Sequence, residues 1–139
     1  MTDVNSTATI SDTKQYPIYL NLLVAEDEVA TAGLYKLWLE SKGHKVTLVH
    51  DGQECLNAYQ MATRPFDVVI LDYRMPILNG AQVAKQIRQL NSKQKIVIET
   101  AYQKDSVMNL IADLKAVIEI IQKPFDFQQL LEVIEGIIA

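Results

Sequence analysis

Four places in this 139-residue chain put polar side chains capable of chemistry directly after an apolar run. YLNLLVA is followed by Glu26, Asp27 and Glu28, FDVVIL by Asp72, KIVIE by Thr100, and VIEIIQ by Lys123 and Pro124. Brought together, the carboxylates repel one another and stay ionised at neutral pH only beside a compensating cation. Hard oxygen ligands with room for water suit Mg²⁺, with Mn²⁺ as a substitute. An aspartate at such an ion can attack a phosphoryl group, because the metal bridges the carboxylate and the incoming oxygens. Asp72 is best placed for this, since it follows a rigid strand and precedes the turn-rich DYRMPILNG. The Thr100 hydroxyl can donate to one phosphoryl oxygen, and the Lys123 ammonium can pair with another.

Positioning these groups falls to alternating strands and helices. The apolar runs predict strands at Tyr19–Ala25, Lys45–Val49, Phe66–Leu71, Lys95–Glu99 and Val117–Gln122. Helical spacing predicts helices from Val29 to the stop at Gly43, Gly52–Met61, Ala81–Leu90, Lys104–Lys115 and Phe127–Ile138. Leu34, Leu37 and Trp38 are expected on the core face of the first helix, Val83, Ile87 and Leu90 on that of the third, and Val107, Leu110, Ile111 and Leu114 on that of the fourth. Nearly continuous apolar strands joined by helices call for an α/β fold: a doubly wound (βα)5 sandwich whose parallel sheet is covered on both faces. In the flavodoxin-like strand order 2-1-3-4-5, the first and third strands are neighbours, so Asp27 and Asp72 meet at the carboxyl edge where ligands bind.

Composition narrows the function. A net charge of −4 leaves no surplus of Lys and Arg for nucleic-acid or anionic-membrane binding. No apolar run approaches the roughly 20 residues that cross a bilayer. The single Cys55 cannot close an internal disulfide, and no signal peptide is visible, so a cytoplasmic location is expected. Residues 1–16 are polar and aperiodic and read as a disordered tail, leaving 17–139 as one domain. Trp38 and Cys55 read as packing residues, and His44 and His50 as surface residues without metal-ligand spacing.

The motifs LLVAEDE, VVILDYRMPILNG, IVIETAY and IIQKPF, in this order and spacing, resemble the receiver domains of two-component response regulators, over about Tyr19 to Ala139. The resemblance implies Asp72 as phosphoacceptor, Asp27 as a direct Mg²⁺ ligand, Glu26 as a ligand through water, and the Arg74 main-chain carbonyl as a further ligand. It implies Thr100 as the switch hydroxyl, Lys123 as the lysine that pairs with the phosphoryl group, and a cis bond before Pro124 that aims Lys123. It implies Arg74 and Tyr102 as residues that modulate access of the hydrolytic water. The implied partners are a sensor histidine kinase or phosphotransfer protein as donor, and a downstream protein or a second copy at the face made by the fourth helix, fifth strand and fifth helix. A phosphoacceptor of this kind assists its own phosphorylation and dephosphorylation and acts on no separate substrate.

Three positions depart from the family pattern. Glu26 stands where aspartate is frequent. Ile120 replaces the Tyr or Phe that swings inward, so a rotamer switch of that type is unavailable. Ala116-Val117 replaces Gly-Ala, and the apolar strand that follows is read, with Ile120, as part of a partner face. The alternatives are a receiver module cut from a larger regulator or hybrid kinase, an aspartate-nucleophile phosphohydrolase, and a flavin-binding flavodoxin. The hydrolase is disfavoured because Arg74 stands where the second aspartate is needed. The flavodoxin is disfavoured because the loop after the first strand is acidic and lacks a Ser/Thr/Gly phosphate pattern.

Overall fold

The computed structural model describes residues 19–112 and 118–139. In chain order the elements are β1 (Asn21–Ala25), α1 (Val29–Ser41), β2 (Lys45–Val49), α2 (Gly52–Met61), β3 (Val68–Asp72), α3 (Gly80–Leu90), β4 (Lys95–Thr100), α4 (Lys104–Leu110), β5 (Ile118–Gln122) and α5 (Phe127–Ile138). The sheet is wholly parallel in the order β2-β1-β3-β4-β5, as expected. The polar tail, Leu114, Lys115 and the Ala116-Val117 substitution lie outside the described residues. No helix among the described residues is long and apolar enough to cross a membrane.

Side chains alternate across each strand and so feed two cores. One joins Leu23, Val69, Leu71, Ile96 and Ile98 to Cys55 of α2, Val83 and Ile87 of α3 and Val107 of α4. The other joins Leu22, Val24, Ile70 and Val97 to Tyr35 and Leu39 of α1 and to Leu130 and Ile134 of α5. The central strands β1 and β3 are buried along their whole length, which explains their unbroken apolar runs. Cys55 is fully buried, and burial pushes its thiol up to about 12, so it acts as a packing residue.

Several helix faces differ from expectation. On α1 the buried residues are Ala32, Tyr35 and Leu39, while Leu34 and Leu37 are exposed and Trp38 is half-buried. The helix carries a second apolar stripe, Ala30, Gly33, Leu34 and Leu37, and periodicity alone does not say which stripe meets the sheet. Leu90 and Leu110, the last residues of α3 and α4, are likewise exposed, while Ile87, Val107 and Ile111 of the same faces are buried. Edge strand β5 is apolar because both its faces are covered: Ile120 packs with Val107 and Ile111, and Ile121 packs with Leu130 and Ile134.

His44 is buried rather than on the surface, and its Nδ1 accepts the Leu20 N–H at 3.1 Å. Accepting that bond requires the neutral ring. Burial holds the pKa below its ordinary value, with Glu135 opposing the shift. A depressed histidine pKa means that the folded state binds fewer protons than the unfolded state. The stability it contributes is therefore present above the unfolded value near 6.5 and is lost as pH falls through the folded value. Denaturant unfolding of wild type and His44→Gln across pH 5 to 8 is expected to show a steeper acid loss in wild type; parallel curves contradict this.

Candidate functional site

At the carboxyl edge of the sheet, β1 runs directly into Glu26 and Asp27, and β3 ends on Asp72. Carboxylate oxygens of the three lie within 4.8 Å of one another. Glu26 and Asp72 are buried, and Asp27 is exposed at the rim. Lys123 follows β5 across a cis peptide bond to Pro124, as the motif implied. Its Nζ stands 3.3 Å from Asp72 Oδ1 and 3.7 Å from Glu26 Oε1. These groups enclose a cavity of about 310 Å³, lined also by Glu28, Tyr73, Arg74 and Ala101.

Local backbone chemistry sets this geometry. Gly80 begins α3 beneath the acidic loop, where a Cβ would come within 2.8 Å of the Asp72 carbonyl oxygen. Asn79 and Gln82 close that helix start with a reciprocal capping box. Tyr73 N–H donates to the Glu99 carbonyl at 2.7 Å, and Lys123 N–H to the Thr100 carbonyl at 2.7 Å, joining the three strand ends.

The electrostatics are those of crowded acids with one cation. Burial, opposed by the Glu28 N–H and reinforced by Asp72, pushes the Glu26 carboxyl up to about 7. Burial acts to lower the Lys123 pKa, but Asp72 and then Glu26 hold it above its ordinary value. Glu26 Oε1 is buried without a hydrogen-bond partner. One ammonium facing a cluster of carboxylates, with a buried oxygen that makes no hydrogen bond among the described residues, fits a hard divalent cation.

Thr100 is buried, and its Oγ1 accepts the Tyr102 N–H at 2.9 Å; Ala101, not Thr100, lines the cavity. Arg74 lines it as well, while its guanidinium reaches out to donate to Tyr102 Oη at 3.3 Å. The Tyr102 ring stands edge-on to Tyr73, with centroids 5.8 Å apart. Tyr73, Arg74 and Tyr102 also line an adjoining cavity of about 440 Å³. Ile120, expected on a partner face, is 3% exposed and contributes only to the floor of a groove between α4, β5 and α5. His50 is half-buried, with Nδ1 3.1 Å from the Glu26 carbonyl oxygen.

Sequence reasoning missed Glu99. It is 1% exposed, its Oε1 accepts from Tyr35 Oη at 3.1 Å, and burial pushes its carboxyl up to about 8. The available signal was an acid inside an otherwise apolar strand, where an ionisable residue is rarely buried without a partner.

The profile of the Response regulator receiver domain family matches residues 22–135. The chain is 32% identical over 112 residues to YkoG of Bacillus subtilis, an uncharacterized transcriptional regulatory protein, covering 80% of this chain and 47% of that protein. It is 32% identical over 121 residues to the transcriptional regulatory protein ZraR of Salmonella typhimurium, covering 86% of this chain and 26% of the relative. The chain thus spans half or less of these relatives. Among solved structures, the non-phosphorylated HemR receiver domain from Leptospira biflexa superposes with a TM-score of 0.77 at 27% identity, over 86% of this chain and 94% of that one. A parallel sheet in the order 2-1-3-4-5, an acidic cluster at its carboxyl edge and a family match across both say the same thing: this chain belongs to the response regulator receiver domains of two-component systems.

Proposed function

We propose that the chain accepts a phosphoryl group on Asp72 from a histidine kinase or phosphotransfer protein, and that Mg²⁺, or Mn²⁺ in its place, is required. The observation that carries this reading is the meeting of Glu26, Asp27 and Asp72 with Lys123 at 3.3 Å from Asp72. Asp27, Asp72 and the Arg74 carbonyl would hold the ion, with Glu26 acting through water. When bound, it neutralises charge on the carboxylates and on the transferring oxygens. An Asp72 oxygen attacks the phosphorus as the donor's P–N bond breaks, and the electron pair leaves with the imidazole nitrogen, which takes up a proton. Lys123 pairs with a phosphoryl oxygen. Thr100 leaves the Tyr102 N–H and donates its hydroxyl to another, so strand-end movement accompanies modification.

Incubation with acetyl phosphate tests the reading. One phosphoryl group per chain is expected with Mg²⁺ and none with chelator; equal labelling in both opposes it. No second carboxylate follows at Arg74, so turnover of a separate substrate is not expected. Output falls to a protein target or second copy at the α4–β5–α5 groove, about 470 Å³ and edged by Lys104, Phe125, Gln129 and Val133. The longer relatives favour a second reading, in which residues 17–139 form the receiver module of a larger regulator.

Tyr102 would slow loss of the phosphoryl group from beside the cavity, a reading supported by its contacts with Arg74 and Tyr73, which line it. Tyr102→Ala is expected to speed decay of the phosphorylated protein by about threefold, the equivalent of roughly half a hydrogen bond's net worth. An unchanged half-life removes Tyr102 from this role.

A further inference from the structure

The carboxyls extend beyond the site. Asp72 and Glu99 are register partners on β3 and β4. Strand alternation turns Glu99 to the same side as Val97, into the layer covered by α1 and α5. There Glu99 Oε1 accepts from Tyr35 of α1, while Oε2 is buried with no partner among the described residues. A buried carboxyl with an unmade hydrogen bond is unfavourable for the fold, and an aliphatic side chain in a β-strand this well covered is not. Packing therefore does not explain this acid.

Tyr35 joins three parts of the molecule. Its hydroxyl meets Glu99, the residue before Thr100. Its ring stacks on Phe125 with centroids 6.4 Å apart and meets Phe127 edge-on at 5.6 Å, both in the segment just after Lys123-Pro124. Phe127 in turn stacks on half-buried Trp38, with centroids 5.0 Å apart, and the Lys42 ammonium lies 5.5 Å from the indole centroid. A continuous set of contacts thus runs from the strand ends that carry Thr100 and Lys123 to the outer surface of α1 and α5.

We propose that Glu99 and Tyr35 are a positioning pair that ties Thr100 and Lys123 to helix α1, so that phosphorylation at Asp72 is transmitted to Trp38 on the α1–α5 surface. This rests on the reading of Asp72 as the phosphoacceptor. Thr100 cannot shift without displacing its neighbour Glu99, whose side chain is held by Tyr35 in a close-packed layer. Ile120, the β5 residue in the opposite layer, is aliphatic and buried, so no aromatic ring at that position relays the change. Glutamine keeps a carbonyl oxygen that can accept from Tyr35 Oη as Glu99 Oε1 does, so it can reproduce this hydrogen bond.

Trp38 is the only tryptophan in the chain and reports the effect directly. The experiment records its fluorescence in the full chain on addition of Mg²⁺ and acetyl phosphate, with phosphoryl incorporation measured in parallel. Wild type is expected to show a change in emission that tracks incorporation. Tyr35→Phe and Glu99→Leu are expected to incorporate the phosphoryl group and to lose at least four-fifths of that change, whereas Glu99→Gln keeps at least half. The Tyr35→Phe/Glu99→Leu double variant is expected to melt no lower than wild type, which separates transmission from folding. A full-sized change in labelled Tyr35→Phe and Glu99→Leu overturns the proposal, and so does a labelled wild type with unchanged emission. Absence of incorporation in wild type instead overturns the reading of Asp72 on which the proposal stands.

Discussion

Replacing Asp72 with asparagine is expected to abolish phosphoryl incorporation from acetyl phosphate, with at least a hundredfold loss of labelling rate, and to leave the fold intact. Asparagine keeps the shape but replaces a nucleophilic carboxylate oxygen with an amide. No other carboxylate of the cluster is equally placed. Asp27 is exposed at the rim, and Glu26 is buried with one oxygen held by the Glu28 N–H. Asp72 alone combines burial at the end of a rigid strand with an ammonium at 3.3 Å. The same substitution removes one of the mutually repelling acids, so apo Asp72→Asn is expected to be as stable as wild type or more so, by up to about 1 kcal/mol. Urea unfolding without divalent ions reads this. Undiminished labelling moves the acceptor elsewhere, and a large loss of stability makes Asp72 a structural residue.

Lys123→Met carries the second large effect. Methionine matches the length of the stem and removes the charge. Among the described residues, Lys123 forms the only ion pairs within the acidic cluster, reaching both Asp72 and Glu26. A preorganised cation aimed at a transferring phosphoryl group is worth on the order of a hundredfold in rate. Lys123→Met is therefore expected to accept phosphoryl from acetyl phosphate about a hundredfold more slowly, with Mg²⁺ still bound. Lys123→Arg is expected to recover only part of the loss, since a planar guanidinium does not reproduce a compact ammonium. The effect on folding is smaller. Lys123 is about a third exposed, and loss of an ion pair screened by solvent costs at most about 1 kcal/mol. A labelling rate within threefold of wild type contradicts the role given to Lys123.

Much of this was legible in the chain because the fold puts chemistry where strands stop. Buried parallel strands must be apolar throughout, so an apolar run broken by Glu26-Asp27, Asp72, Thr100 or Lys123 marks the carboxyl edge in the sequence itself. Taking the flavodoxin-like strand order for this doubly wound pattern then brought Asp27 and Asp72 together. What was not legible depends on which of two sufficient patterns the tertiary structure selects. Helix α1 offers two apolar stripes, and the sheet takes the one bearing Tyr35, leaving Leu34 and Leu37 in solvent. His44 is polar in type but buried because the Leu20 N–H needs an acceptor at the lower end of the sheet. Glu99 sat in plain view within IVIET, yet its significance lies in a contact with Tyr35 sixty-four residues away that no local pattern encodes. The apolar character of β5 suggested a partner, and the two covered faces of that strand account for it.

The most direct test of the central claim is chemical trapping of the phosphorylated residue. Wild-type protein treated with acetyl phosphate and Mg²⁺ is reduced with borohydride, which converts an aspartyl phosphate to homoserine, and the digested chain is sequenced by mass spectrometry. The expected result is homoserine at position 72 alone, and none when Mg²⁺ is chelated. Homoserine at another aspartate, or trapping at position 72 that is indifferent to the divalent ion, contradicts the claim that Glu26, Asp27 and Asp72 form one cation-dependent phosphoacceptor site.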